Sequence, residues 1–323
     1  MDVLLTGYSG SLGTAVCEQL VQAGHDVHAL LHGSVIEPQT LSPKVRIVWG
    51  SLSHPDVLER ETKNVDVVVH CAWDGRRTLD ESLEKVNLAG TKNLIKSAEQ
   101  NKVKTFIHIS SVAVYGLDRT LWGRTIDESQ PLIKKEQSPD AYAWAKILIE
   151  DYCSQLKDAS RMNILIIRPG LFFSDTKAPA KKLITSKRRS YGLLVGGGRN
   201  HLPYIHVGDV ARMIMAVIEN PPRYAVYNCV PTVQLPCAEF LAKWGKSRGI
   251  RLKVLRLRPV TVRCMNMAIR CLKRAMGKST VGPSSDYQIT SSIRDIRYSS
   301  QKAVEDLGWQ DVLTRAVAET QSF

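Results

Sequence analysis

Short apolar runs recur along the first half of the chain, and between them apolar positions fall three or four residues apart. The runs Val3 to Leu5, Val27 to Leu31, Val45 to Trp49, Val65 to Cys71 and Thr105 to Ser110 predict strands. Helical periodicity over 14–23, 56–62 and 80–100 lies between them. Alternation of this kind predicts an α/β fold, a parallel doubly wound sheet with helices on both faces. Further along, Ala141 to Leu156 reads as a helix, with Ser138 and Pro139 as its cap and first helical position. Tyr224 to Cys229 reads as a strand and Cys237 to Lys246 as a helix. The basic stretch 181–189 reads as helical or loop-like, and a last helix near Ser300 to Leu307 leads into a tail.

Val260 to Met276 aligns Met265, Ala268, Ile269, Leu272 and Met276 on one helical face, with Arg263, Arg270, Lys273 and Arg274 over the remainder. Periodic apolar faces usually pack in a core, so this one is expected to face the rest of the fold or a second subunit; an anionic membrane surface is the alternative. The charge pattern bears on that choice. The net charge is +13, and between Phe240 and Ser285 twelve Lys and Arg residues stand without a single Asp or Glu. Such a block is either a solvated basic face or a surface for anions, a phosphorylated substrate or a lipid surface among them, while the lack of interleaved aromatic residues argues against nucleic acid. Seven cysteines, with no C-x-x-C pair, support neither a metal site nor a disulfide framework. The N-terminal stretch has no leader pattern and no apolar run is long enough to span a bilayer, so a cytoplasmic protein is expected.

Candidate chemistry begins where the first strand breaks into Thr6-Gly7-Tyr8-Ser9-Gly10-Ser11-Leu12-Gly13 before a helix. Glycines at this spacing let backbone approach a pyrophosphate lying over the helix N-terminus, so the loop predicts a dinucleotide site. The second strand ends at Leu31-His32-Gly33 with no acid to accept from a ribose 2′-hydroxyl. His32 there leans towards NADP over NAD. The second constellation is Ser110-Ser111 at a strand end, followed by Tyr142 and Lys146 four residues apart on one helical face. A phenol of ordinary pKa about 10 becomes a proton shuttle when a nearby ammonium favours its anion. Ser111 would hydrogen-bond the same substrate oxygen.

These segments, together with Val69-His70-Cys71-Ala72, Val86-Asn87, Gly90-Thr91, Arg168-Pro169-Gly170 and His206-Val207-Gly208-Asp209-Val210, resemble the extended short-chain dehydrogenase/reductases, the NAD-dependent epimerase/dehydratase family, over residues 2 to about 230. The resemblance implies a Rossmann-type domain of residues 1–170 plus about 203–230, and a smaller C-terminal α/β substrate lobe of about 171–202 and 231–323. It implies Ser111, Tyr142 and Lys146 as the catalytic set. The implied cofactor contacts are Gly7, Ser9, Gly10, Ser11, Leu12, Gly13, His32, Ser51, Leu52, Cys71, Ala72, Trp73, Asn87, Ile109, Ser110, Tyr142, Lys146 and Pro169, with Ser111, Val112 and Arg199 towards substrate. Arg168 would end a strand near the nicotinamide, Asp209 would cap a helix, and a homodimer would form through the helix of Tyr142 and that of 80–100.

Departures from the family pattern narrow the reaction. Val112 and Ala113 stand where the sugar dehydratases carry an acid pair and the decarboxylating members a glutamate. What remains is hydride and proton transfer at one secondary alcohol or ketone: reduction, oxidation, or the oxidation and re-addition on the other face that an epimerase performs. Family breadth puts a nucleotide-linked sugar first as substrate. Leu202-Pro203-Tyr204, where an arginine often reads the diphosphate, and the Gly196-Gly197-Gly198-Arg199-Asn200 form keep a non-nucleotide, hydrophobic ketone or alcohol in play. A dinucleotide-binding regulator without turnover is the third reading.

Overall fold

A computed structural model describes residues 1–33, 42–74, 83–134, 141–175, 179, 183–185, 190–250, 252–276 and 285–319. The first half alternates as expected: β1 (Asp2–Thr6), α1 (Ser11–Gln22), β2 (Asp26–Leu31), β3 (Val45–Trp49), α2 (Pro55–Thr62), β4 (Val67–His70), α3 (Ala89–Gln100) and β5 (Thr105–Ile109). The predicted helix over 80–100 enters through a wider π-type stretch, Leu83–Leu88. After the two-residue β6 (Thr125–Ile126) come α4 (Ala141–Leu156), β7 (Asn163–Pro169), β8 (Leu171–Phe173), β9 (Leu183–Thr185), β10 (Ser190–Val195) and β11 (Tyr204–His206). Then follow α5 (Val207–Glu219), β12 (Tyr224–Cys229), α6 (Cys237–Ser247), β13 (Leu252–Leu257), α7 (Pro259–Ala275), α8 (Ser285–Ile293), β14 (Arg297–Tyr298), α9 (Gln301–Leu307) and α10 (Val312–Glu319). The expected helix cap at Ser138 and Pro139 falls outside the described residues.

Seven parallel strands form the central sheet in the order β12-β7-β5-β4-β1-β2-β3. Its middle strands are apolar without alternation because helices bury both faces. On one face Val16 and Leu20 of α1 pack with Val210, Met213 and Ile214 of α5. On the other, Leu58, Leu94, Ile95, Ile149 and Cys153 come from α2, α3 and α4. Strand order reverses between β1 and β4, and such a switch point opens a crevice at the carboxyl ends of the strands.

Beyond this sheet lies a smaller body: β13, β10 and β9 pair in a three-stranded sheet beside α6, over a core that includes Phe173, Leu202, Tyr204, Phe240 and Trp244. Three expectations change here. Within the basic 181–189 stretch, residues 183–185 are a strand, paired antiparallel with β10. The expected tail contains α10, whose first amides are held by Asp209: its carboxylate accepts from the backbone of Leu313 (2.9 Å) and Thr314 (2.7 Å) and from the Thr314 hydroxyl (2.6 Å). Residues after 300, assigned to the lobe from sequence, carry Ala303 and Trp309 into the core shared by α1 and α5.

One buried polar network seats α4 on the sheet. Arg168 on β7 grips Glu150 of α4 through Nε (3.1 Å to each oxygen) and Nη2 (2.5 Å), and Ser110 donates to the same carboxylate. Arg168 Nη1 donates to the Tyr115 hydroxyl (2.8 Å), which donates to Asn228 Oδ1 on β12 (2.7 Å). Burial penalises the guanidinium, but the carboxylate outweighs it and holds its pKa above the ordinary value. Removing one member of such a pair leaves the other charge uncompensated. Glu150→Gln is expected to lower unfolding free energy by about 3–5 kcal/mol in urea titrations followed by circular dichroism, whereas a loss under about 1 kcal/mol would mean the pair does not hold α4.

Candidate active site

The glycine loop owes its shape to two close approaches. Gly7 has φ +77°, and a Cβ there would lie 2.6 Å from the amide of Ala72. A Cβ on Gly13 would lie 2.1 Å from the Gly7 carbonyl oxygen, so neither position admits a side chain. Gly10 donates its amide to that same carbonyl at 3.0 Å and precedes α1 without offering a side-chain cap. The first-turn amides of α1 are thus left for an anion, which is the arrangement a dinucleotide pyrophosphate fits. Ser9 and Gly10 are exposed and Ser11 half-buried, while the Leu12 side chain belongs to the core, leaving its backbone for a ligand.

Facing this loop across the switch point, β4 ends on His70, which is 2% exposed and neutral because burial drives its pKa down to about 3. Its hydrogen bonds fix the tautomer. Thr91 Oγ1 gives its hydrogen to the Asn87 carbonyl (2.7 Å) and must accept from His70 Nε2 (2.8 Å). His70 Nδ1 then accepts from Thr6 Oγ1 (2.7 Å), which itself accepts from the Ala72 amide at 3.2 Å. The Asn87 side chain closes the chain by bridging the amide (2.9 Å) and carbonyl (3.2 Å) of Asp74. This relay holds 71–74 against the glycine loop, and Asn87 serves it as a backbone clamp.

The predicted catalytic residues come together at the end of β5. Ser111 is half-buried and caps the turn Val112–Tyr115, its Oγ accepting from the Ala113 amide at 3.2 Å. Lys146 is 4% exposed and donates from Nζ to the Ile109 carbonyl (2.6 Å). The same Nζ lies 4.1 Å from the centroid of the Trp73 ring and 6.0 Å from that of Tyr142. Trp73 and Tyr142 meet edge to face, centroids 5.0 Å apart. Burial lowers the Lys146 pKa to about 7, opposed by the negative forms of Cys71 and Glu150. His108, its ring centroid 5.6 Å from that of His70, is also held neutral by burial.

Of the remaining predicted contacts, Cys71 and Ala72 line the relay, and Ser51 and Leu52 sit half-buried where β3 turns towards α2, with Leu52 against Gly90. His32 is exposed just past β2, Pro169 is buried at the end of β7, and Val112 is buried. Arg199 is exposed in the lobe. Two expectations shift: the Ser110 hydroxyl is committed to Glu150, and Arg168 is locked in the same network rather than presented to a ligand. Glu150 and Tyr115 are members of this network that sequence reasoning misses. The available signal is the continuation of the Tyr142, Lys146 spacing to a third polar residue four positions on, opposite an arginine in an otherwise apolar strand.

Comparison with known proteins agrees with this arrangement. The model of the NAD dependent epimerase/dehydratase family matches residues 3–229. A ketoreductase of a farnesylated dihydroquinoline oxide from Stigmatella aurantiaca is 24% identical over 316 residues, 97% of this chain and 93% of that protein. An undecaprenol-diphosphate-linked N-acetylglucosaminyl 4-epimerase from Escherichia coli O157:H7 is 25% identical over 79% of this chain and 75% of its own length. Among solved structures, the UDP-glucose 4-epimerase of Thermus thermophilus in complex with NAD superposes with a TM-score of 0.70 at 18% identity, covering 99% of this chain and 97% of that one. The crevice at the switch point, the glycine cradle and the matched model together place the chain in the NAD-dependent epimerase/dehydratase family, as an enzyme of the extended short-chain dehydrogenase/reductase type.

Proposed function

We propose that the protein is an NAD(P)-dependent reductase or dehydrogenase acting on one ketone or secondary alcohol, with Tyr142 moving the proton. The carrying observation is the joint placement of Tyr142 and the buried Lys146 on one face of α4, beside the strand end that bears Ser111. The dinucleotide supplies or takes the hydride when bound. The chain's own residues do the rest. Gly7, Gly13 and the first turn of α1 hold the pyrophosphate, and His32 past β2 reads the ribose, with a preference for NADP. Ser111 orients the substrate oxygen, Tyr142 gives or takes its proton, and Lys146, held by the Ile109 carbonyl, supports the charge left on the phenol. Val112 and Ala113 supply no acid or base at the adjoining carbon, which is consistent with simple redox chemistry.

For the substrate, a largely apolar, non-nucleotide molecule is the better supported reading, reversing the order suggested by family breadth. Leu202 and Tyr204, in the segment where related enzymes carry a diphosphate-reading arginine, are core side chains here, and Tyr204 stacks on Phe240 at 4.9 Å. The prenylated and polyprenyl-linked substrates in the names of the two relatives above point the same way. A nucleotide-linked sugar is the second reading, favoured by the exposed Arg199. Adding UDP or GDP in thermal-shift assays separates them: the apolar-substrate reading expects no shift in Tm, whereas clear stabilisation by either would restore the sugar.

Tyr142→Phe is expected to lower kcat about 10²- to 10⁴-fold on prenylated ketones, a far larger loss than any in dinucleotide affinity by calorimetry. Wild-type turnover in that variant would remove Tyr142 from the mechanism.

Lys146 adds a test that needs no substrate. Its folded pKa, about 7, lies below that of an unfolded lysine near 10.4, so between these values the unfolded chain binds more protons and stability rises with pH. Below pH 7 both states are protonated and the buried ammonium exerts its full cost. Lys146→Met is therefore expected to be more stable than wild type at pH 6, with the gap closing by up to about 1.4 kcal/mol per pH unit above pH 7. A gap that stays constant from pH 6 to pH 9 would mean the lysine keeps an ordinary pKa.

A further inference from the structure

Helix α7 is packed inside out. The stripe it turns inward is Pro259, Val262, Asn266 and Arg270, buried or half-buried on the side that leans on α8. The opposite side is apolar and stands in solvent, with Val260, Met267 and Leu272 at 65%, 63% and 62% exposure. Met265, Ile269 and Met276 join them, so this helix and the residue after it supply six of the thirteen exposed large apolar side chains among the described residues. Of the two coverings expected for this face, the rest of the fold is not the one: no described part of the chain covers it.

The charge around the helix indicates what does. The block from 240 to 285 holds twelve basic residues and no acid, and Lys253, Arg256, Arg258 and Arg263 are exposed beside the apolar face. A second copy docking here would set this block, which contains no acid of its own, against itself. An anionic surface with an apolar interior complements both properties at once.

We propose that α7 lies in the headgroup region of an anionic lipid bilayer, its Met, Ile and Leu side chains entering the acyl boundary and the exposed Lys253, Arg256 and Arg258 beside it meeting lipid phosphates. Spanning is ruled out for this helix: its 17 residues reach about 25 Å at 1.5 Å each, short of a hydrocarbon core of about 30 Å, and two of them are arginines along its middle. The exposed Cys264 and Cys271 lie within the same apolar side, so they report on its surroundings. The inference is independent of the catalytic reading, since docking on lipid needs neither dinucleotide nor substrate.

The test floats the full chain with vesicles of phosphatidylcholine alone and of phosphatidylcholine with about a third phosphatidylglycerol, at low and high salt. Binding is expected only to the anionic vesicles, weakened by salt. Ile269→Asp/Leu272→Asp is expected to cut partitioning by at least about tenfold while the thermal shift given by NADPH stays as in wild type. An environment-sensitive dye on Cys264 and Cys271 is expected to shift to the blue and become shielded from iodide on anionic vesicles. The proposal is overturned if the chain stays with the aqueous fraction, if the double variant floats like wild type, or if the dye remains quenchable on bound protein. It is equally overturned if sedimentation shows a dimer that the double variant dissociates, since α7 would then be a contact between copies.

Discussion

The Glu150 carboxylate held against Arg168 is what seats α4 on the central sheet. Tyr142, Lys146 and Glu150 follow one another at four-residue spacing, so they line a single face of α4. Glu150 forms the deep end, tied to β7 through Arg168 and to the end of β5 through Ser110. Lys146 in the middle reaches the Ile109 carbonyl, and Tyr142 stands half-buried at the outer end, edge to face with Trp73. In the proposed mechanism this face is graded from anchor to support to reacting group. Burying an ion pair is a poor way to stabilise a fold, because desolvation consumes much of the attraction. It is a good way to fix direction, since the guanidinium fork and the carboxylate tolerate little rotation about each other.

The opposite wall is built without charge. Gly7 and Gly13 bring loop and helix closer than any side chain would allow, and the neutral His70 passes hydrogen bonds from Thr6 to Thr91. The connections that leave β1 and β4 run to opposite faces of the sheet, so beyond the paired Thr6 and His70 the two loops need a lateral tie. His70 supplies it from the interior, which explains an imidazole whose pKa burial has pushed far below the point of use as an acid or base. Trp73, carried on the segment this relay steadies, lies over Lys146 and against Tyr142 and so joins the two walls.

How much of this is legible follows from sequence distance. The glycine loop, the strands and the Tyr142 to Lys146 spacing are local, and local patterns can be read directly. The Glu150–Arg168 pair escapes such reading because it joins a helix to a strand laid down 18 residues later, and Tyr115 and Asn228 come from further still. Helix α10 reads as a tail because its cap, Asp209, lies more than a hundred residues upstream; the sequence assigns that aspartate a capping role without indicating which helix it caps. For α7 the periodicity predicts an apolar face correctly, and of the coverings expected for it the rest of the fold is not found among the described residues. A hydrophobic stripe specifies that something must cover it, and says nothing of whether the same chain provides the cover.

The two halves depart from ordinary burial in opposite senses. Around the site, His70, Asn87, Lys146, Glu150 and Arg168 are all 5% exposed or less, where folding stability alone would favour apolar residues of similar shape. On α7, leucine, isoleucine and methionine face water, where stability and solubility alone would favour polar ones. The first departure is compensated inside the chain, bond by bond, down to the tautomer of His70. The second has no internal compensation among the described residues, and the bilayer proposed above would supply it from outside. Pairing at the site reaches all five of those groups but stops short of the neighbouring His108, whose ring nitrogens meet no partner among the described residues, and an uncovered apolar face on α7 is what a chain shaped to bind something there would carry.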